Sequence, residues 1–429
     1  MSDQISIWID ETCEDLLGIS EDRKPKEYWV ERGVVPLMYR RRNYYDYKNP
    51  KTMATDTIGM NLNLGGVQQS TPINLLVLAS TGWGKTRLVK NVIKQCYKCG
   101  YKILVIEPKS FEFLNMKYKG HGNRIAPFDT NESIKDAVSY TPYFAREFLA
   151  KWIKRRLAST KFYSPDISLL DYPDAWIGMG VPLKAANKIV GEIKKGNLNM
   201  QKWVQMLRYE DLHTMTRQAA ITTLEGLQEV GFFNSRFKDI DLEKEWADDK
   251  IVVINYHNQR NGFMLSDLGL LLSKVMRIGQ VESNQGLQNV TKKLIVFDDL
   301  FYYGGGDATR FNKTTDINMA AANIGHCQNN ARAWGVNSVV VVQNLNHENV
   351  YENIIDGCTA KMIGSCENVN YLRGKIPEDA FNLVSNTSPE RGPVLYSDEV
   401  NYVKQWVFST SRTKYDTGMV YDCTLGHTG

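Results

Sequence analysis

Five short stretches of unbroken apolar residues stand out along the chain, at 74–79 (NLLVLA), 102–106 (KILVI), 250–256 (KIVVINY), 293–300 (KLIVFDDL) and 337–344 (NSVVVVQN). A continuous run, in place of an alternating one, is the signature of a strand buried on both faces. Helical periods lie between them. One helix is expected from Lys85 to Lys98, stopping at Gly100. Another is expected at 265–281 (LSDLGLLLSKVMRIGQV), read as buried. Weaker strand patterns follow at 360–365, 392–397 and 402–409. Apolar strands alternating with helices imply an α/β fold with a mainly parallel sheet covered on both faces.

Two regions break this rhythm. Residues 130–245 carry helical periods at 152–157 (WIKRRL), 183–196 and 214–230, with few β-branched runs, and read as a mostly helical insertion. Residues 1–55 carry mixed charge and end in LMYRRRNYYDYKNPKTM, and read as an N-terminal appendage. The core is therefore expected at 56–129 and 246–429.

Composition narrows the picture only a little. A length of 429 residues allows two or three domains at about 150 residues each. The balance of 52 Lys+Arg against 48 Asp+Glu is too even to identify a partner, so any basic surface must be local. No apolar run reaches the ~18 residues of a membrane span, and the acidic, interrupted start does not read as a secretory signal. Seven cysteines, an odd number on a large chain, argue for reduced thiols and an intracellular, cytoplasmic setting. The close pair Cys96 and Cys99 reads as two small apolar residues on a helix.

The chemistry begins where the first apolar run ends. Ala79, Ser80, Thr81, Gly82, Trp83, Gly84, Lys85 and Thr86 fit the Walker A pattern, with Ala in the first glycine position. A tight strand-to-helix loop points successive backbone N–H groups at phosphate oxygens, at the positive end of the helix. Gly84 lets the backbone come close, Lys85 reaches the β- and γ-phosphates, and the Thr86 hydroxyl can ligate Mg²⁺. Residues Ser80 through Thr86, with Arg87, form the candidate cradle for ATP.

A phosphate loop alone does not separate kinases, switches and motors. The run at 293–297 ends in Asp298 and Asp299. Beside a phosphate loop, Asp298 would hold the Mg²⁺ shell and Asp299 would polarise the attacking water. A solvated acidic loop is the plainer alternative. Gln343 leaves a third apolar run, where a neutral donor and acceptor can sense hydrolysis or merely cap the strand.

These elements, in this order, resemble the HerA/FtsK superfamily of hexameric ATP-driven DNA pumps, which includes chromosome translocases, conjugation ATPases and viral genome-packaging ATPases. Further residues carry the resemblance: Ile58-Gly59 before the first core strand, Glu107-Pro108-Lys109 with Glu112-Phe113, Arg332 with Gly335-Val336 leading to Gln343, and 354–363. The similar stretches cover about 58–128 and 250–410. The family usually has Asp-Glu where this chain has Asp298-Asp299, and more often Asp where it has Glu107. The resemblance implies a RecA-like P-loop NTPase core that hydrolyses ATP with Mg²⁺ and moves double-stranded DNA as a hexamer. In its terms Lys85, Asp299 and Gln343 are catalytic, and Arg332 is a phosphate-sensing or neighbour-directed arginine; a solvated helix-end residue is the alternative. The size of the insertion favours viral packaging or conjugative transfer, with a capsid or relaxase partner and a virus or mobile element as source. The rivals are a HerA-type partner of a nuclease in DNA end processing and a nucleotide-binding assembly protein with little turnover.

Two segments are candidate DNA contacts. Arg40, Arg41 and Arg42 interleave with Tyr39, Tyr44, Tyr45 and Tyr47, so that cations neutralise phosphates while rings stack on bases. Arg310 and Lys313 follow three glycines after the acidic strand, where a loop can face the pore of a ring. Either segment can equally be a solvated or core-packed surface.

Overall fold

The computed structural model describes residues 5–9, 34–40, 56–61, 74–81, 83–108, 113, 137–146, 160–256, 262–286, 290–300, 319–343, 354–364, 369–385, 406–410 and 415–420. The described strands are β1 Ile5–Ile9, β2 Val34–Arg40, β3 Asp56–Asn61, β4 Asn74–Leu78, β5 Lys102–Glu107, β6 Ala137–Pro142, β7 Thr160–Tyr163, β8 Ile251–Asn255, β9 Lys293–Phe297, β10 Val336–Val342, β11 Ala360–Ile363, β12 Trp406–Ser409 and β13 Tyr415–Val420. They form one sheet in the order β1-β3-β2-β13-β12-β11-β4-β10-β9-β5-β8-β6-β7.

From β11 to β7 every neighbouring pair is parallel. Beyond β11 the sheet continues through antiparallel strands. Counting along the chain from β4 and setting aside β6 to β8, the five core strands stand in the order 5-1-4-3-2. This is a RecA-like α/β arrangement, in which one strand, β10, separates the phosphate-loop strand β4 from the acidic strand β9.

Alternation within these strands sorts their residues onto two apolar faces. Leu75 and Val77 of β4, Val105 of β5 and Val296 of β9 pack against Leu88 and Val92 of helix α1, Lys85–Lys98. Leu76, Ile106, Phe297 and Val340 face the other way. The helices covering that second face follow others in chain order: α2 Pro173–Gly178, α3 Leu183–Lys194, α4 Met200–Tyr209, α5 Thr214–Val230, α6 Leu242–Ala247, then α7 Gly262–Asn284 and α8 Met319–Asn329. Leu268 and Val275 of α7 and Ile324 of α8 sit in the second-face core. The short α9, Ala331–Trp334, precedes β10, and α10, Glu378–Ser385, packs its Ala380 and Phe381 into the same core.

Helices α2 to α5 enclose a separate core around Trp176 and Trp203, whose rings meet edge-on at 5.5 Å, and Leu270 of α7 joins it. The helical reading of 183–196 and 214–230 thus has its counterpart in α3 and α5; 152–157 lies outside the described residues. The structure differs at the start of the stretch, because β6 and β7 at 137–163 extend the parallel sheet. Both are short, and the weakly patterned AVSYTP and TKFY are too brief to show a period. Within the segment read as an appendage, β1 and β2 pair with β3 and β13 in the same sheet. The expected strand at 392–397 lies outside the described residues, and that at 402–409 is described from Trp406. No helix among the described residues is long and apolar enough to cross a membrane.

Candidate nucleotide site

In a parallel sheet the loops leaving the C-terminal strand ends share one edge, and the candidate residues gather there. Ala79 closes β4 with its N–H on the Val342 carbonyl (3.2 Å), tying the start of the phosphate loop to the end of β10. The loop returns into α1 at Gly84, whose φ of +88° is a left-handed conformation that suits glycine. The helix is hydrogen-bonded from its first turn, Leu88 N–H donating to the Gly84 carbonyl (3.0 Å).

Lys85, the first residue of α1, is buried and lies over the loop. Its Nζ donates to the carbonyls of Ala79 (2.6 Å) and Ser80 (3.0 Å), so the ammonium is held against the strand end and not out in solvent. Thr86 follows it on the first turn, and Arg87 stands next on the same helix. Gly82 lies outside the described residues.

Trp83 divides its roles between backbone and side chain. Its indole is buried in the α1-facing core and meets Trp406 edge-on at 6.0 Å. Its ring anchors the loop from beneath and leaves only its backbone to face a ligand. The partner that makes room is Gly364, just after β11. A Cβ there would lie 2.7 Å from Trp83 Cε3 and 2.8 Å from Ala79 Cβ. Residues 281 positions apart thus meet, which no local pattern signals.

The acidic strand delivers its two carboxylates differently. Leu294 and Val296 of β9 face α1, and alternation carries Asp298 to that same face, 4% exposed, with its N–H on the Ile106 carbonyl (3.1 Å). Asp299 turns away with a φ of +52°, a conformation that short polar residues tolerate better than long ones. This gives a physical reason for Asp at a position where the resembling family carries Glu.

Asp299 is linked to the phosphate loop through β10. Gln343 Nε2 donates to Asp299 Oδ2 (2.9 Å), and Thr81 Oγ1 donates to Gln343 Oε1 (3.3 Å). One hydrogen-bonded chain therefore joins the phosphate loop, the tip of β10 and the tip of β9. The sequence suggested each of these residues separately. The structure brings them into contact.

Arg332 is not part of this constellation. It lies on α9, just before β10 begins at Val336 opposite Lys293, the first residue of β9. The seven residues of β10 at about 3.3 Å each put it roughly 20 Å from Gln343, at the opposite edge of the sheet. Arg40 ends β2, while Arg41, Arg42, Arg310 and Lys313 lie outside the described residues.

The donor set fits Mg²⁺. It offers one buried carboxylate, Asp298, and one hydroxyl, Thr86, beside a loop built for phosphates, and Mg²⁺ is ordinarily held by one or two carboxylates plus phosphate oxygens and water. Among the described residues no group of three or more His, Cys, Asp or Glu is placed to hold a metal unaided.

No family model matches the sequence, and no curated protein matches it. Solved structures do resemble the fold. VirB4 of Thermoanaerobacter pseudethanolicus is 11% identical with a TM-score of 0.48, covering 91% of this chain and 97% of that one. The plasmid coupling protein TrwB, in complex with the non-hydrolysable ATP analogue ADPNP, is 11% identical with a TM-score of 0.49, covering 85% and 87%. The genome-packaging NTPase B204 from Sulfolobus turreted icosahedral virus 2, in complex with ATP-gammaS, is 7% identical with a TM-score of 0.34, covering 81% and 96%.

Proposed function

We propose that this chain is an ATPase of the HerA/FtsK type that couples hydrolysis to movement of double-stranded DNA, in viral genome packaging or conjugative transfer. The observation that carries the reading is the Thr81–Gln343–Asp299 chain of hydrogen bonds, which puts a polar strand tip between a phosphate loop and a carboxylate.

Each residue then has a task that its position permits. The amides of the loop and the start of α1 hold the β- and γ-phosphates, with Lys85 released from the Ala79 and Ser80 carbonyls to pair with their oxygens. Thr86 and Asp298 would hold Mg²⁺, which neutralises charge on the transferring phosphoryl group. Asp299 accepts the proton of the attacking water. Gln343 bonds Asp299 at one end of its amide and the loop at the other, so a change at the γ-phosphate reaches the tip of β10. Arg332, at the far edge of the sheet, acts on the nucleotide of a neighbouring subunit, where a cation supplied in trans stabilises the transition state. That arrangement calls for a head-to-tail ring, which we propose is a hexamer. The basic segments with Arg40–Arg42 and with Arg310 and Lys313 are the proposed DNA contacts.

The short Asp299 side chain favours one rival, an assembly protein that binds ATP with little turnover. ATPase rates with and without double-stranded DNA separate the two, the translocase being stimulated. Lys85→Ala is expected to abolish nucleotide binding. Asp299→Asn keeps an acceptor for Gln343 and tolerates the left-handed backbone, so it should bind nucleotide and lose turnover. Nucleotide binding that survives Lys85→Ala refutes the site.

A further inference from the structure

The polar edge of the sheet does not stop at Asp298. Asp298 N–H donates to the Ile106 carbonyl, and Ile106 is in register with Phe297, so Glu107 stands beside Asp298 on the next strand. Glu107 is in turn in register with Asn255 of β8. Val105 and Val253, two residues earlier on their strands, belong to the α1-facing core, so Glu107 and Asn255 share the face of Asp298. Three polar residues thus form a row across β9, β5 and β8, with Glu107 and Asn255 both fully buried.

Glu107 and Asp298 thus stand side by side on strands about 4.8 Å apart. The amide beside them points to a donor. Asn255 Nδ2 donates to Ser139 Oγ (2.7 Å) on β6, on the far side from Glu107, and among the described residues the buried Oδ1 has no hydrogen-bond partner. Leaving such an acceptor unmet costs about 1–3 kcal/mol, so its retention calls for a donor.

We infer that Glu107 is a further residue of the hydrolytic centre, holding together with Asp298 the water shell of the divalent cation, with Asn255 Oδ1 as the outer acceptor of the row. This rests on the nucleotide site proposed above. The chemistry matches, because the waters around Mg²⁺ present only donors to their surroundings and the row presents acceptors. The dimensions match as well. Metal–water distances of about 2.1 Å and hydrogen bonds of about 2.8 Å make acceptors on opposite sides of a hydrated Mg²⁺ roughly 10 Å apart. Two strand spacings, from β9 to β8, are also about 10 Å.

The test is the metal dependence of nucleotide binding, measured calorimetrically with a non-hydrolysable ATP analogue in EDTA and across a Mg²⁺ titration, and repeated with Mn²⁺ by electron paramagnetic resonance. Glu107→Gln should leave metal-free binding at the wild-type value and raise the Mg²⁺ concentration for half-maximal enhancement by about 10- to 100-fold, the usual cost of losing an outer-shell partner. Glu107→Asp keeps the charge and provides the same reading with a smaller shift should the glutamine variant not fold. A wild-type Mg²⁺ dependence in either folded variant overturns the inference while leaving the nucleotide site standing. A wild-type protein that binds no nucleotide overturns both.

Discussion

Substituting Gly364 by alanine tests how firmly the phosphate loop is seated. The added Cβ would approach Trp83 Cε3 to 2.7 Å and Ala79 Cβ to 2.8 Å, where carbon atoms rest at about 3.5–4.0 Å. Roughly 1 Å must therefore open. Trp83 has little room to give it, being 4% exposed and backed by Trp406, and Ala79 is fixed at the end of β4. Gly364 itself is held, its N–H donating to the Leu78 carbonyl at 2.8 Å. Overpacking of this kind costs about 1–3 kcal/mol. Shifting the loop with Trp83 relieves the strain in the free protein, and nucleotide binding must then restore it, weakening affinity by roughly 5- to 150-fold. Calorimetric titration with a non-hydrolysable ATP analogue measures this. Gly191→Ala is the control, since a Cβ there meets nothing within 4 Å on helix α3; it should leave affinity unchanged and raise stability by about 0.5–1 kcal/mol. Wild-type affinity and wild-type melting temperature in Gly364→Ala would refute the idea that this contact seats the loop.

Two further perturbations probe buried charge. Asp267, fully buried on α7, accepts hydrogen bonds from Tyr163 and from Tyr256 (2.7 Å) on one oxygen, and burial pushes its carboxyl up from 3.8 to about 7. The folded chain therefore keeps a proton that the unfolded chain releases, so this contribution to stability is present below about pH 4 and lost as pH rises toward 7. Asp267→Asn still accepts both hydroxyls, and urea unfolding should find it more stable than wild type at pH 8, by about 4 kcal/mol at most, with the advantage gone near pH 4; an equal difference at both pH values would contradict this. Lys293 is fully buried and pairs with Glu282 besides the carbonyls of Thr291 (3.0 Å) and Trp334 (3.4 Å); burial pulls its ammonium down and Glu282 draws it back. Glu282→Ala, which strands a fully buried ammonium, should cost about 3–5 kcal/mol by thermal unfolding, whereas Lys293→Met leaves a carboxylate that is partly exposed and still accepts from Thr291 N–H and Oγ1, and should cost less; equal losses in the two variants would sink this account.

What could be read from the sequence follows from what each residue must satisfy locally. A strand covered on both faces needs an apolar run, so β4, β5, β8, β9 and β10 announced themselves. A loop that cradles phosphates needs small residues, a lysine and a hydroxyl at fixed spacing, and these too are local. β6 (AVSYTP) and β7 (TKFY) are as short as those core strands but mix polar with apolar residues, so they show neither a continuous apolar run nor a clear period, and they extend the sheet into a stretch that read as helical. The contact of Gly364 with Trp83 and the approach of Asn255 to Glu107 join distant parts of the chain, so composition around each residue is silent about them.

Arg332 and Gln343 show that closeness along the chain is not closeness in space. Only ten residues lie between them, and the sequence leaves Arg332 open as a phosphate-sensing arginine, a neighbour-directed one or a solvated helix-end residue. Yet β10 runs almost the whole interval, and a strand is the most extended path a chain can take. The same strand that brings Gln343 to Asp299 therefore carries Arg332 about 20 Å away, to the N-terminal edge. The two residues can serve one chemistry only if a second copy presents its N-terminal edge to this chain's phosphate loop. Such a contact uses different surfaces on its two sides, and contacts of that kind close into a ring when the rotation between copies closes. An Arg332→Ala chain mixed with an Asp299→Asn chain is then expected to recover part of the lost ATPase rate, because a mixed interface can pair an intact arginine with an intact carboxylate. Failure of every mixing ratio to exceed the sum of the separate chains would rule out an arginine acting between subunits.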